Sequence, residues 1–299
     1  MGITMKKKYV FVVCLLLSIT LLSMGVTTLY VHLTKETKEG DFTVVTSFYP
    51  MYIATLNLTD NVEGVSLKNL SEPQTGCLHD FQLTPEDMRL LSTADVFVIN
   101  GGGVESFLEE VAKAYPNLTI VTACEYVELL QDEEETNGHA WMEPGRYMDM
   151  VDAIADGLSG ADETHRKLYE AHAAEYKEKL SLLCGELDDL RPRYQGEKVI
   201  LLHEAFAYLA EALGMQVEYV LDLDEERQIS AGEVAQVVQL IEDENISVLF
   251  VEERYGKEMA ETLQKETGVR ICYLDPLNRG EYEPDSYLNV MGENLKLLQ

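Results

Sequence analysis

"KVILLHEAFAYLAEALGMQVEYVLDL", residues 198–223, sets a short Val/Ile/Leu run ending in a histidine before a helical stretch from Ala205, then returns to a second β-rich run, "QVEYVLDL" (216–223). Two strands joined by a helix are the unit of a parallel sheet, because only a crossover of that length returns the chain to the same end. The unit continues downstream with a helix from Gly232, "SVLFVEE" (247–253), a helix to Thr267 and "VRICYLD" (269–275). Upstream the same alternation runs through "FTVVTSFY" (42–49), "VEGVSLKNL" (62–70), a helix from Pro85, "DVFVING" (95–101), a helix from Glu105 and "LTIVTAC" (118–124). The expectation is an α/β protein of two lobes, each a small, mainly parallel sheet flanked by helices. Between them, residues 161–193 place Leu168, His172, Tyr176, Leu180 and Cys184 at near-helical spacing with no glycine before Gly185. One long connecting helix of roughly 35 Å is expected there.

The ends of the pattern set the remaining boundaries. Lys6, Lys7 and Lys8 precede a stretch from Tyr9 to Val31 without a charged residue, long enough at helical rise to cross ~30 Å of hydrocarbon. The basic flank keeps that end inside and sends the rest out. Residues 1–31 therefore read as a signal peptide or an N-terminal transmembrane anchor, and 32–41 as a polar stalk. Residues 42–160 form the N-terminal lobe, 161–193 the connecting helix and 194–299 the C-terminal lobe. Cys14 lacks the small preceding residue of a lipoprotein site, so tethering falls to the apolar run. A net charge of −30 over 299 residues, with no basic, aromatic-interleaved stripe, excludes nucleic acid as a partner. Cys77, Cys124, Cys184 and Cys272 are scattered, with no CxxC pair, and are expected as buried structural thiols more than as disulfides.

Candidate chemistry lies at strand ends. His203 closes "KVILLH" and Asp275 closes "VRICYLD", so both belong to one rim, where open α/β sheets gather ligands. His79 precedes a helix marked by Thr84 as N-cap and Pro85 in its first turn. His139 lies in "NGHAWMEPG" after the acidic loop 132–135. Three imidazoles and a carboxylate make a plausible tetrahedral zinc set. Lone histidines also pack or solvate, and no HExxH motif selects between the readings. His165 and His172, two turns apart, are expected on a solvated helix face. "VFVINGGGVES" lacks GxGxxG and a GK[ST] ending, so a tight turn is expected rather than a phosphate cradle. Glu204, Glu252 and Glu253 stand near strand ends, where one could orient a ligand imidazole. Trp141 and Tyr208 are expected to pack around the site.

In order and spacing, "VVTSFYPMY", "HDFQLTPEDMRLLSTADVFVINGGGVESFLEEV", "GHAWMEP", "LLHEAFAYLAEALGM", "KETGVRICYLDPL" and "SYLNVMGENLKLL" resemble the zinc/manganese receptors of ABC importers, the TroA-like cluster A-I solute-binding proteins. The resemblance spans about Phe42 to Gln299. It implies two α/β lobes linked by one long helix, a metal held between them by His79, His139, His203 and Asp275, and no enzymatic activity. It also implies an ABC permease and its ATPase as partners, a monomeric receptor, and a place on the extracytoplasmic face of the membrane. Manganese members tend to carry a carboxylate where His203 stands, so a third imidazole points to Zn(II) as the transported ion, with Mn(II) the alternative. "QDEEETNG" lacks the histidine-rich loop of many zinc members, and "GHAWMEP" departs from "PHVWLDP" while keeping His-x-Trp. A secreted zinc hydrolase with Asp275 or Glu252 as base, or a metal-binding adhesin, are the rival readings.

Overall fold

Four short apolar strands make the first sheet: β1 (Phe42–Thr46), β2 (Val65–Asn69), β3 (Val96–Ile99) and β4 (Thr119–Thr122), all parallel in the order β2-β1-β3-β4. A two-residue antiparallel pair, β5 (Gln131–Asp132) and β6 (Glu135–Thr136), leads out of it. The second sheet, β7 (Lys198–Leu201), β8 (Gln216–Val220), β9 (Val248–Val251) and β10 (Arg270–Tyr273), is also parallel, in the order β10-β9-β7-β8. This is the mixed α/β architecture expected, in a computed structural model that describes residues 41–72, 81–132, 135–221, 223 and 229–299. His79, Cys77 and the apolar run 9–31 lie outside the described residues. Among the described residues no helix is long and apolar enough to cross a membrane.

The inner strands are buried on both faces, as parallel strands with helices on either side must be, while the edge strands β4, β8 and β10 keep exposed residues. β3 and β9 have no exposed residue. In β7, successive side chains alternate between two cores: Val199 and Leu201 join the large core shared with the first lobe, while Ile200 and the following Leu202 join a smaller one with Val237, Ile241 and Leu263.

Helices α1 (Tyr49–Thr59), α2 (Pro85–Leu91), α3 (Leu108–Ala114) and α4 (Pro144–Ala161) accompany the first sheet. Thr84 caps α2 with a capping box to Asp87, the start its sequence announces. The connecting helix α5 runs Arg166–Tyr194, about 44 Å at helical rise. Its buried stripe is Tyr169, Ala173, Tyr176, Leu180, Leu183, Leu187 and Leu190, steps of four and three that keep one face inward. Tyr176 and Leu180 are common to this stripe and to the spacing read from the sequence, but toward the ends the stripe takes Tyr169, Ala173 and Leu183 in place of Leu168, which is 43% exposed, His172 and Cys184. His165 and His172 are half-buried and partnered rather than solvated. His165 Nδ1 lies 2.6 Å from Asp162, and His172 Nδ1 lies 2.9 Å from the Leu58 carbonyl.

Helices α6 (Ala207–Ala212), α7 (Ala231–Glu244) and α8 (Glu253–Thr267) serve the second sheet, and α9 (Ser286–Leu297) follows β10. α9 packs on α5 and on α1, so the end of the chain is built into the first lobe's flank. Asn57 of α1 donates to the Pro284 carbonyl at 2.8 Å, and Tyr282 stacks on Tyr52 with ring centroids 4.0 Å apart. Cys124, Cys184 and Cys272 are free thiols; burial pushes that of Cys124 up to about 12.

Candidate metal centre

In a sheet whose strands run out from the middle in both directions, a crevice opens where the order reverses. In the first sheet that point lies between β1 and β3, and the side chain filling it is Glu105. One carboxylate oxygen accepts from Ser47 Oγ at 2.7 Å and from the Asn100 N–H at 2.8 Å, the other from the Gly101 N–H at 3.0 Å. Burial raises the Glu105 carboxyl above the usual glutamate range, and these donors pull part of the shift back. Gly101, Gly102 and Gly103 all have positive φ, so "NGGGVE" is a backbone turn tied to a buried carboxylate, not a phosphate cradle.

That turn supports His139. Asn100 Nδ2 donates to the Gly138 carbonyl at 2.9 Å, and a Cβ at Gly138 would come within 2.5 Å of a Val104 methyl and 3.0 Å of the Gly102 oxygen. Only glycine lets the chain pass this close. The His139 ring is buried, tilted against Trp141 at 4.8 Å. Its Nδ1 is 3.0 Å from Asn137 Oδ1 and 3.4 Å from Glu204 Oε1. Oxygens without a proton can only accept, so Nδ1 carries the hydrogen and Nε2 the lone pair a metal needs.

In the second sheet the reversal lies between β7 and β9, which end at His203 and Glu252. His203 Nε2 is 3.6 Å from Glu252 Oε2, and Glu252 Oε1 pairs with Arg279 at 3.3 Å. The Ala205 N–H donates to His203 Nδ1 at 3.0 Å. A neutral His203 therefore holds its hydrogen on Nε2, facing Glu252. Ligation through Nε2 would move that hydrogen to Nδ1 and break the cap, so the two rings are not equally prepared for metal. Of the three candidate glutamates, Glu204 and Glu252 face the histidines, while Glu253 is on the surface with Lys257.

Asp275, an exposed residue, follows β10. Its backbone is clamped by the buried Asn294 of α9: the Asp275 N–H donates to Asn294 Oδ1 and Asn294 Nδ2 donates to the Asp275 carbonyl, both at 2.8 Å. Asp275 Oδ1 accepts from the Leu277 N–H at 2.7 Å. Leu277 has φ of +52°, a left-handed conformation that leucine rarely adopts. Across the lobes, Trp141 Nε1 donates to the Pro276 carbonyl at 2.9 Å. Crowding by surrounding protein lifts the Asp275 carboxyl above the usual aspartate range, against the pull of the Leu277 N–H and Arg279.

Of the expected ligands, the structure brings His139 and His203 together, ring centroids 5.6 Å apart and perpendicular, one from each side of the connecting helix. Asp275 stands at the C-terminal end of the same sheet as His203. Among the described residues no three His, Cys, Asp or Glu side chains are gathered closely enough to hold a metal.

The sequence profile of the periplasmic zinc-uptake complex component A family, ZnuA, matches residues 44–299. The chain belongs to this family. ZnuA of Bacillus subtilis, described as a high-affinity zinc uptake system protein, is 25% identical over 285 residues, covering 88% of each chain. The zinc-binding lipoprotein AdcA of Streptococcus pneumoniae serotype 4 is 26% identical over 282 residues, 87% of this chain and 56% of AdcA. The crystal structure of Zn(II)-bound AdcA superposes with a TM-score of 0.74 at 27% identity, over 87% of this chain and 57% of that one. This ZnuA-family chain thus spans about half the length of AdcA.

Asn137, Asn294 and Arg279 escape a reading by residue type. Asn294 has a sequence signal, as a polar residue on the helix face that carries Tyr287, Met291 and Leu295. Asn137, two residues before His139, has only its proximity.

Proposed function

We propose that the chain is an extracytoplasmic receptor that captures Zn(II) between its lobes and delivers it to an ABC permease with its ATPase, acting as a monomer tethered by residues 1–31. The observation that carries this reading is the His139–His203 pair, contributed from either side of the connecting helix and supported by carboxylates. With His79 and Asp275 the set would be three imidazoles and a carboxylate, four ligands that close a tetrahedral shell. A closed shell favours binding over hydrolysis, which needs an open position for water. Nitrogen-rich donors favour zinc over manganese, whose preferred sites are richer in oxygen.

Calorimetry of the metal-stripped protein with Zn(II) and with Mn(II), repeated for His203→Ala and Asp275→Ala, tests it. The expected result is one equivalent of zinc bound more tightly than manganese, with a clear loss in each variant. Equal affinity for both ions, or an unchanged His203→Ala variant, overturns the zinc reading.

A further inference from the structure

We propose that Asn137 is a positioning residue that sets the orientation and tautomer of His139 and ties that ring to the turn following His203; this rests on His139 being a metal ligand. The buried Asn137 makes bonds from each of its polar groups. Oδ1 accepts from the His139 N–H at 2.9 Å and faces His139 Nδ1 at 3.0 Å. Nδ2 donates to the Glu204 carbonyl at 3.1 Å. The Asn137 N–H donates to the Leu130 carbonyl at 2.9 Å, and its carbonyl accepts from Tyr208 Oη at 2.5 Å.

The orientation of the amide follows from its backbone partners. A backbone N–H only donates and a backbone carbonyl only accepts, so the oxygen must face His139 and the nitrogen Glu204. With the oxygen there, His139 Nδ1 is protonated and Nε2 is the ligating nitrogen. Holding the second ring nitrogen of a metal-bound histidine is what fixes ring orientation at such sites. The other end of the same amide is bonded to the residue immediately after His203. A single side chain thus spans the boundary between the lobes that carry the two histidines. Glu204 Oε1, at 3.4 Å from the same Nδ1, is the longer and more exposed alternative acceptor.

The test uses the metal-stripped full chain with zinc as the probe, in the variants Asn137→Ala, Asn137→Asp, Glu204→Gln and His139→Ala. Three quantities are read: zinc affinity by chelator competition, the ring 15N shifts of His139, and urea unfolding. Asn137→Ala should weaken zinc by about 10- to 100-fold and remove the single Nδ1–H tautomer of His139. Asn137→Asp keeps an acceptor against Nδ1–H and should hold affinity within roughly threefold of wild type, even though its bond to the Glu204 carbonyl is lost. Glu204→Gln leaves the shorter bond intact and should cost less than Asn137→Ala. If Asn137→Ala does not fold, Asn137→Ser, too short to reach Nδ1, is read in its place. Unchanged affinity and tautomer in Asn137→Ala overturn the proposal, as does a larger loss in Glu204→Gln, which would give the orienting role to the carboxylate. His139→Ala separates the two levels: zinc binding that survives it defeats the ligand assignment itself, and the positioning role with it.

Discussion

Replacing Trp141 with Phe tests how the ligand rim is held to the first lobe. The indole is fully buried between Phe48, at 5.2 Å, and His139, and its Nε1–H is the donor to the Pro276 carbonyl. Phenylalanine keeps most of the packing but leaves that carbonyl without its donor, a loss of about 1–3 kcal/mol for a buried acceptor. The smaller ring leaves a void of roughly 35 Å³, which at about 24 cal/mol per Å³ adds ~1 kcal/mol. The sum is a destabilisation of ~2–4 kcal/mol. Urea unfolding followed by far-UV circular dichroism measures it, as a lower midpoint at unchanged slope. Tyr287→Phe provides the scale: it removes the bond from Tyr287 Oη to the Trp141 carbonyl, 2.7 Å long, leaves no comparable void, and should cost about 1–3 kcal/mol for the unsatisfied acceptor alone. Because Pro276 follows Asp275 directly, zinc affinity should fall in Trp141→Phe as well. A loss of stability under about 1 kcal/mol would mean that the Pro276 carbonyl finds another donor or water, and the reasoning about the rim would fail.

Trp141 is the chain's single tryptophan and stands 4.8 Å from the His139 ring, so its emission reports on that ring. One equivalent of zinc should change the fluorescence of the wild type and leave that of His139→Ala unchanged; silence in the wild type would contradict the placement. Gly280 has φ of +152°, and a Cβ there would lie 2.6 Å from Tyr49 Oη and 2.9 Å from the ring carbon that bears it. Gly280→Ala should therefore cost more than about 1 kcal/mol in urea unfolding, and a neutral result would show that the loop shifts freely. Glu105→Gln turns an amide NH₂ toward a backbone N–H and should destabilise by ~1–3 kcal/mol. In the wild type the Glu105 carboxyl is raised in the folded state, so the native chain holds that proton more tightly. Its contribution to stability is fully present below the unfolded value of about 4.3 and is lost as pH rises through the folded value. Unfolding free energies measured against pH should show that slope in the wild type and not in Glu105→Gln.

Much of this was legible in the chain because the patterns are local. The strands of both sheets are short apolar runs separated by helical stretches, and parallel pairing follows from that alternation alone. The capping box at Thr84 and the histidine at the end of β7 are equally local. The connecting helix was legible in extent more than in rotation. A constant step of four, as from Leu168 to Cys184, drifts around a helix of about 3.6 residues per turn, so it meets the buried face only at Tyr176 and Leu180.

The supports of the site were legible only in part: Glu204 and Glu252 could be named with Glu253 as candidates near strand ends, but which histidine each one faces depends on strand order, and Asn137, Asn294 and Arg279 carried no such mark. In sequence β8 lies between β7 and β9; in space β7 and β9 are neighbours because the second sheet reverses direction after β8. That reversal, which alternation of elements does not encode, sets Glu252 beside His203. The first sheet reverses between β1 and β3 in the same way, and there the crevice is filled by Glu105, bonded to Ser47 after one strand and Asn100 after the other. Two equivalent crevices thus have different contents. One holds a structural carboxylate surrounded by N–H and O–H donors; the other holds a histidine and a glutamate, groups that can exchange a proton or a metal, with Arg279 as the fixed positive partner of the glutamate. The difference lies in what each strand delivers at its carboxyl end: the proposed zinc site draws on the second sheet's reversal for His203, while the turn that Glu105 anchors supports His139 from the first lobe.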